Sequence, residues 1–311
     1  MEQVINNNGF IAYETRTFHK KSQRLIETAN SIIAEYREGG YDLTLRQLFY
    51  QFVSKGIIKN TEKEYKKLGV LISNARLAGL ISWHAIVDRT RISRSNSHFD
   101  DPGDILSAAA KQYRIDTRTN QDVYLEIWIE KEALLGVIEP TCRELDVRCL
   151  ACKGYLSQSA MWEAAQRIID ANDAGQKAVV LYFGDHDPSG LDMGRYIHER
   201  LRLFGADVQV DRIALNMDQI EQYNPPPNPA KENDKRYAAY VAEYGKKCWE
   251  LDALEPSVIT ELIEEAVAKY TDEDRRQELI DLQAEQKKSL ACISEHWQTL
   301  DAGNGPAEVR P

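Results

Sequence analysis

The first hundred residues place apolar side chains with the period of amphipathic helices. Recurrence every three or four residues predicts three helices, and Thr44 and Thr61 are suited to cap the second and third of them. The predicted helices span residues 18–38, 45–54 and 62–79. Residues 80–90 then alternate between apolar and polar positions, which is typical of a short hairpin strand.

The middle of the chain changes to the pattern of buried strands. Residues 179–183 form an uninterrupted apolar run, and residues 123–129 form a second strand-like run that leads into a helix. Runs of this kind are found in parallel sheets that are covered on both faces. Helical spacing resumes after each run, so the sequence predicts an α/β unit over residues 120–215.

Carboxylates stand where both strands are predicted to end. Glu130 follows the first strand, and Asp185 and Asp187 follow the second one, ahead of Pro188 and Gly190. Open α/β sheets bind ligands beyond the carboxyl ends of their strands, and hard carboxylate oxygens suit Mg²⁺. The three carboxylates therefore predict a magnesium site. The alternative is an acidic turn that binds no metal.

The remaining segments divide the chain into parts. Residues 97–120 predict a linker followed by a short helix, residues 223–229 form a proline-rich hinge or lid, and residues 231–311 are mostly helical and acidic. The predicted domains are therefore residues 1–100 and 120–311, joined by a linker at residues 101–119.

Composition narrows the classes of function. A hydrophobic content of 43% and a charged content of 28% are ordinary for a globular protein. Five cysteines favour a reducing compartment, and Cys149 and Cys152 are interpreted as buried thiols. Residues 1–8 lack the pattern of a signal peptide, and no apolar run reaches transmembrane length. These features predict a cytoplasmic protein without membrane contact.

Charge is distributed unevenly along the chain. The net charge is −10, yet residues 1–100 carry 15 basic against 10 acidic residues, whereas the remainder carries 24 against 39. Helix, basic helix and basic β segment follow one another in the order of a winged helix, whose second helix enters the major groove of DNA. The expected DNA contacts are Lys63, Lys66, Lys67, Arg76, Arg89, Arg91 and Arg94. The alternative is that the lysines only solvate a helix face.

Tyr50 is a candidate nucleophile on the second predicted helix. Arg46 lies four residues before it, so the two side chains share one helical face. A guanidinium beside a phenol favours the phenolate, which can attack phosphorus and form a phosphotyrosine. The pair alone is weak evidence among fifteen tyrosines, and a packed core tyrosine is the alternative.

The order of these features resembles a known combination of domains. Glu130, a Gly-containing corner at residues 152–157, and the motif Asp185-x-Asp187-x-x-Gly resemble the Toprim domain, which holds Mg²⁺ on such carboxylates. A helix with Arg-x-x-Phe-Tyr ahead of a Toprim domain resembles the A subunit of topoisomerase VI and the meiotic double-strand-break transesterase. The resemblance covers roughly residues 40–215, and the chain is similar to the compact stand-alone relatives of that subunit. Gln47 stands where the family usually has an acidic residue.

The resemblance implies both a fold and an activity. The fold is α/β, with an N-terminal winged-helix (CAP-like) DNA-binding domain and then a Toprim Rossmann-like parallel-sheet domain with a helical C-terminal part. The activity is cleavage of double-stranded DNA with Mg²⁺, or Mn²⁺ in its place, through a 5′-phosphotyrosyl link. The residues implied are the nucleophile Tyr50, its activator Arg46, the metal ligands Glu130, Asp185 and Asp187, and the phosphate contacts Lys131 and Lys153.

Partners also follow from the resemblance. It implies a homodimer in which each Tyr50 meets the metal site of the partner, association with the nucleoid, and a separate ATPase B-type subunit for strand passage. The chain itself has no G-x-x-x-x-G-K-[ST] loop for ATP. A monomer whose two parts fold onto one another in cis is the alternative assembly.

Three other functions stay open at the level of sequence. A Toprim nuclease would use metal-activated water, with Tyr50 serving only in packing. A non-catalytic winged-helix protein would bind DNA without cutting it. A Rossmann dinucleotide enzyme is disfavoured, because no G-x-G-x-x-G follows a predicted strand.

Overall fold

The computed structural model describes residues 4–5, 10–41, 43–86, 96 and 98–301, and side chains up to residue 295. It is a mixed α/β fold with a four-stranded parallel sheet, which confirms the predicted class. Within these residues, every helix is too short or too polar to cross a membrane.

A cluster of three helices forms the N-terminal part. The elements in chain order are β1 (Val4–Ile5), β2 (Ile11–Ala12), α1 (Lys20–Glu38), α2 (Leu45–Ser54) and α3 (Glu62–Leu77). Thr44 and Thr61 cap α2 and α3, as predicted, because each side chain accepts a hydrogen bond from the backbone amide three residues on. The side chain of Gln47 in turn accepts a hydrogen bond from the backbone amide of Thr44 at 2.9 Å, which completes a capping box.

The three helices bury their apolar faces in one shared cluster. Ile26, Ile32, Leu48, Phe52 and Ile72 all lie in one apolar cluster. A single parallel bridge joins Leu43 to Ile86 beside this cluster. The predicted hairpin strand at residues 80–90 is wrong for its described part, which forms a 3-10 turn at Trp83–Ala85. Ser82 caps this turn, and Ile81 and Ala85 pack in the cluster, whereas Trp83 between them is exposed.

The sheet lies in the middle of the chain. The next elements are α4 (Pro102–Gln112), β3 (Val123–Ile129), α5 (Glu132–Glu144), β4 (Arg148–Ala151), α6 (Gln158–Asp173), β5 (Lys177–Phe183), α7 (Pro188–Leu203) and β6 (Val208–Ala214). The strand order is β4-β3-β5-β6, and every pair is parallel. Ile129 at the end of β3 is in register with Phe183 at the end of β5, so both strands finish at the same level.

Both faces of the sheet are covered, which is why the strands read as apolar runs. On one face, Leu134 of α5 packs with Ile127 and Leu181. On the other face, Ile168 of α6 and Ile197 of α7 pack with Val180. The sheet is therefore the middle layer of three.

The C-terminal part is helical, as predicted, and encloses the sheet. Its elements are α8 (Met217–Tyr223), β7 (Asn228–Pro229), α9 (Tyr237–Tyr244), β8 (Lys247–Cys248), a 3-10 turn at Leu251–Ala253, α10 (Pro256–Ala268) and α11 (Glu273–Asp301). β7 and β8 pair antiparallel, so part of the proline-rich segment is a short ribbon. α10 packs against α5, and α11 packs against α4, where Tyr113 donates to Gln286 at 2.6 Å.

One charged side chain lies inside the sheet layer. Glu126 of β3 is fully buried and accepts from both Nε and Nη2 of Arg167, at 2.8 and 3.0 Å. Tyr124 and Trp128 donate to the same carboxylate at 2.7 and 2.8 Å. A buried carboxylate tolerates this position because its hydrogen bonds and its counter-charge are provided.

We expect Arg167→Met to lower the free energy of unfolding by about 3 kcal/mol, because it leaves the buried Glu126 with only Arg148 as a counter-charge, at 3.9 Å. Urea unfolding measures the loss. The matched control is Arg195→Met, which removes an exposed helical pair with Glu199 and should leave the midpoint near that of the unaltered chain. Equal midpoints for both variants would contradict the assignment of Arg167.

Candidate active site

The carboxylates singled out from the sequence lie at the point where the strand order reverses. β3 and β5 are neighbours, yet the chain leaves β3 toward β4 on one side and leaves β5 toward β6 on the other. Glu130 directly follows β3, and Asp185 follows β5 by two residues. Crevices for ligands form at such positions in open α/β sheets.

Glu130 and Asp185 are held close together by the backbone. The amide of Asp185 donates to Oε2 of Glu130 at 2.9 Å, and the hydroxyl of Tyr182 approaches the same oxygen at 3.3 Å. Arg212 lies beneath the turn and donates to the carbonyls of Asp185 and Gly190 at 2.7 and 2.8 Å. The turn that carries Asp185 is therefore fixed on both sides.

Gly190 explains the spacing of the Asp-x-Asp-x-x-Gly motif. A Cβ at this position would lie 2.2 Å from the carbonyl oxygen of Asp185 and 3.2 Å from Oε2 of Glu130. An approach of 2.2 Å is far inside van der Waals contact, so α7 can begin against the strand-end turn only with glycine here. Asp187 caps α7, because its Oδ1 accepts from the amide of Gly190 at 2.6 Å.

Arg46 and Tyr50 face the same cleft from α2. Arg46 lies beside the phenol, with Nη2 at 3.4 Å from the Tyr50 hydroxyl, as the i, i+4 spacing predicts. The cleft has a volume of about 940 Å³ and is lined by residues of the helical cluster, the strand ends and the segment after β8. Its walls include Arg46, Tyr50, Glu130, Lys131, Lys153, Asp185, Asp187, Glu250 and Asp252. Tyr50 and the three predicted metal ligands therefore line one cleft of one chain.

Two acidic residues that sequence reasoning missed complete the cleft. Glu250 and Asp252 follow β8 and form ion pairs with Lys131. Nζ of Lys131 lies 2.6 Å from Oε2 of Glu250 and 2.8 Å from Oδ1 of Asp252. Lys131 also pairs with Asp185 at 3.1 Å. Arg46 also pairs with both carboxylates. Its Nη2 contacts Oε2 of Glu250, and its Nε lies 2.8 Å from Oδ2 of Asp252. We call these five residues the ion network.

The sequence carried only a faint signal of Glu250 and Asp252. Glu250-Leu251-Asp252 repeats the alternate-acid spacing of the strand-end motif, but no long apolar run precedes it. Lys131, which pairs with this segment, is more than a hundred residues away in sequence, and Arg46 is more than two hundred residues away. Pairings at that separation follow from the tertiary fold and not from local pattern.

Burial and neighbouring charge shift the titration of the site. Burial raises the pKa of Asp185 to about 7, although Lys131 opposes the shift. Burial also acts to raise the pKa of Glu250, but Lys131 and Arg46 outweigh it and lower that pKa to about 2. Both groups sit in a low-dielectric pocket in which each charge depends on its partners.

Arg46 favours the phenolate of Tyr50, as expected, but other groups outweigh its effect in this arrangement. Burial, together with Asp252 and Glu250, raises the pKa of the Tyr50 phenol above its ordinary value. Arg46 and Lys131 act in the opposite direction, but the carboxylates already engage both cations. Tyr50 is thus a neutral phenol in this state.

Several expected DNA contacts have intramolecular partners. Lys66 pairs with Glu62 and Lys67 with Glu64, each at 2.7 Å on the exposed face of α3. Arg76 stacks over the ring of Trp83 at 4.6 Å and donates to backbone carbonyls.

The other expected contacts are spread over different places. Lys63 is exposed on α3, and Lys153 pairs with Glu132 at 2.7 Å at the rim of the cleft. Lys131 lies inside the ion network and not on an exposed face. Arg89, Arg91 and Arg94 lie outside the described residues.

The donor chemistry of the cleft fits Mg²⁺. Glu130, Asp185 and Asp187 supply hard carboxylate oxygens, and the hydrogen bond from the amide of Asp185 keeps the Glu130 carboxylate next to the turn. Among the described residues, no three Asp, Glu, His or Cys side chains form a ready-made metal cluster. Mg²⁺ commonly uses one or two protein carboxylates and completes its shell with water and phosphate, so two of the three suffice.

Comparison with known proteins assigns the chain to no family. The chain matches no model of a known protein family, and a search of curated proteins found no match. The functional interpretation therefore depends on the residues of the cleft.

We expect Gly190→Ala to destabilise the fold by about 1–3 kcal/mol or more, because the new methyl group overlaps the carbonyl of Asp185. Gly194→Ala in the same helix is the matched control. Its Cβ would lie 4.0 Å from the nearest atom, so higher helix propensity should stabilise that variant by up to about 1 kcal/mol. Urea unfolding compares the two, and similar stabilities would contradict the close approach at Gly190.

Proposed function

We propose that the chain is a Mg²⁺-dependent DNA-cleaving transesterase with Tyr50 as its nucleophile, similar to the A subunit of type IIB topoisomerases. One observation carries the proposal: Tyr50 and Arg46 line the same cleft as Glu130, Asp185 and Asp187. A phenol, a guanidinium and hard carboxylates in one cleft are the groups that a tyrosine transesterase needs.

The chemistry exchanges one phosphoester bond for another. The Tyr50 oxygen bonds to phosphorus, the bond to the 3′-oxygen breaks, and the phenol proton is lost while the 3′-oxygen gains one. The products are a 5′-phosphotyrosyl link and a free 3′-hydroxyl. Mg²⁺ held by Glu130, Asp185 and Asp187 would offset charge on the phosphate and the leaving oxygen. Arg46 orients the phenol, and no nucleotide is consumed.

The geometry favours completion of the site in cis. Tyr50 faces the carboxylates of its own chain, so a partner subunit is not required to bring them together. The winged-helix and Toprim descriptions of the two parts, the homodimer and a separate ATPase subunit stay predictions. Binding of double-stranded DNA by α3 is part of the same proposal.

A second candidate has its own supporting observation. Tyr50 is 3% exposed and its phenol is held neutral, which suits a packing residue as well as a nucleophile awaiting activation. The chain would then be a nuclease in which metal-activated water attacks the phosphate. Cleavage without a covalent link would distinguish this function.

We expect the purified chain to form a covalent adduct with double-stranded DNA in Mg²⁺ or Mn²⁺ after a denaturant quench. Tyr50→Phe should abolish the adduct, because it removes the attacking oxygen while keeping the ring. Asp185→Ala should abolish it as well, and Tyr196→Phe on α7 serves as the tyrosine control. Cleavage that survives Tyr50→Phe would favour water, and binding without cleavage would favour a non-catalytic DNA-binding protein.

We expect DNA affinity to fall steeply with salt, since bound Lys side chains displace counterions. Replacing Lys63, Lys66 and Lys67 by Gln should weaken binding and reduce the slope of log K against log salt by about 0.9 for each phosphate that is no longer neutralised. Fluorescence anisotropy on a labelled duplex measures both. Lys177→Gln, at the opposite end of β5 from the cleft, is the control. An unchanged slope in the triple variant would contradict the role of α3.

A further inference from the structure

The segment that follows β8 lies between the two halves of the cleft. Asp252 contacts Arg46 of the helical cluster and Lys131 at the end of β3, at 2.8 Å in both cases. Glu250 makes the same two pairings. The amide of Leu251 donates to Oδ1 of Asp185 at 2.8 Å. Three consecutive residues therefore connect the helix of the nucleophile to the strand ends.

This segment is itself held in place. Trp249 and His186 exchange backbone hydrogen bonds at 2.8 and 3.0 Å, which ties the segment to the middle residue of the Asp-x-Asp motif. Asn228 of β7 donates to Oε1 of Glu250 at 3.0 Å. On its other side, Ala253 packs in the apolar cluster of α1 to α3. The two carboxylates are consequently fixed relative to both halves.

We propose that Glu250 and Asp252 are positioning residues that hold Arg46 against Tyr50 and Lys131 against Asp185, and so complete the site within one chain. This inference depends on the proposed transesterase function. The two carboxylates act through the cations and are not required to touch DNA themselves.

The two cations differ in how deeply they are buried. The side chain of Asp252 is 1% exposed and that of Lys131 is 19% exposed, so loss of one partner leaves the other with a poorly hydrated charge. Arg46 is the more exposed cation. Its Nη2, which faces Tyr50, donates a hydrogen bond to Glu250, and its Nε forms an ion pair with Asp252 at 2.8 Å. Without Asp252 its guanidinium can rotate toward solvent and leave the phenol. A misplacement of about 1 Å at a reacting group can cost about a hundredfold in rate.

Replacing Glu250 or Asp252 should lower the rate of cleavage but should not weaken DNA binding. Glu250 and Asp252 place negative charge in a cleft that must admit a phosphate. Neutralising either one removes repulsion, so the affinity for DNA should stay the same or increase. A fall in rate without a fall in affinity is therefore the signature of positioning.

The test uses the isosteric variants Asp252→Asn and Glu250→Gln in the full chain, with Glu139→Gln on the exposed face of α5 as the control. Single-turnover adduct formation at saturating DNA should fall about a hundredfold in Asp252→Asn and clearly in Glu250→Gln. The dissociation constant for DNA should not rise, and the control should match the unaltered chain. Unchanged rates in both variants would overturn the proposal.

A double-mutant cycle separates positioning from general loss of stability. Because Asp252 acts in part through Arg46, the rate loss caused by Asp252→Asn should be smaller in an Arg46→Met background than in the unaltered chain, whereas independent roles would give multiplicative losses. Multiplicative losses would overturn the proposal. Should Asp252→Asn fail to fold, the same cycle is run with Glu250→Gln, whose carboxylate is partly exposed.

Failure of the proposed function gives a different result. If the unaltered chain forms no adduct, that function is wrong, and the cycle is measured by urea unfolding instead. Non-additive stabilities of Arg46→Met and Asp252→Asn would then support the connection across the cleft, and additive stabilities would overturn it.

Discussion

Charge taken out of water between the helical cluster and the sheet has to be balanced there, and the ion network meets this constraint. Lys131 and Arg46 balance two of the three carboxylates of the network, and burial raises the pKa of the third, Asp185, to about 7, which favours its neutral form. Nζ of Lys131 lies 2.6 to 3.1 Å from an oxygen of each carboxylate. A buried pair contributes little net stability, but loss of one partner leaves a costly unpaired charge. The network therefore specifies one relative position of the two halves of the cleft.

The same constraint sets the reactivity of Tyr50. Carboxylates that hold Arg46 and Lys131 in place also raise the pKa of the phenol, together with burial. Tyr50 is therefore a neutral phenol in this state. A bound divalent cation and a phosphate would redistribute the charge that the two cations now balance, since both ligands are charged and enter the same cleft.

Local chemistry made much of the fold predictable from sequence. Thr44 and Thr61 fix the starts of α2 and α3 through their own side chains, and buried strands must be apolar on both faces. The strand-end positions of Glu130 and Asp185 followed from the same patterns. The turn at Trp83–Ala85 was missed because Ile81, Trp83 and Ala85 are apolar at alternate positions, as in a strand, although Trp83 is exposed. Glu250 and Asp252 were missed because their partners are distant in sequence. The lowering effect of Arg46 on the pKa of Tyr50 is outweighed by burial and by those two carboxylates.

The central claim is that Tyr50 and the strand-end carboxylates of one chain form one site, and a dilution experiment tests it most directly. The unaltered chain is mixed with an increasing excess of the double variant Tyr50→Phe, Asp185→Ala, and covalent DNA adduct is measured per unaltered chain. A site completed in cis predicts a constant adduct yield, because the double variant contributes nothing that the unaltered chain needs. If the site needed two chains, the adduct yield would fall with the excess, because the variant would replace the active partner. Such a fall, or the absence of any adduct from the unaltered chain alone, would contradict a site formed within one chain.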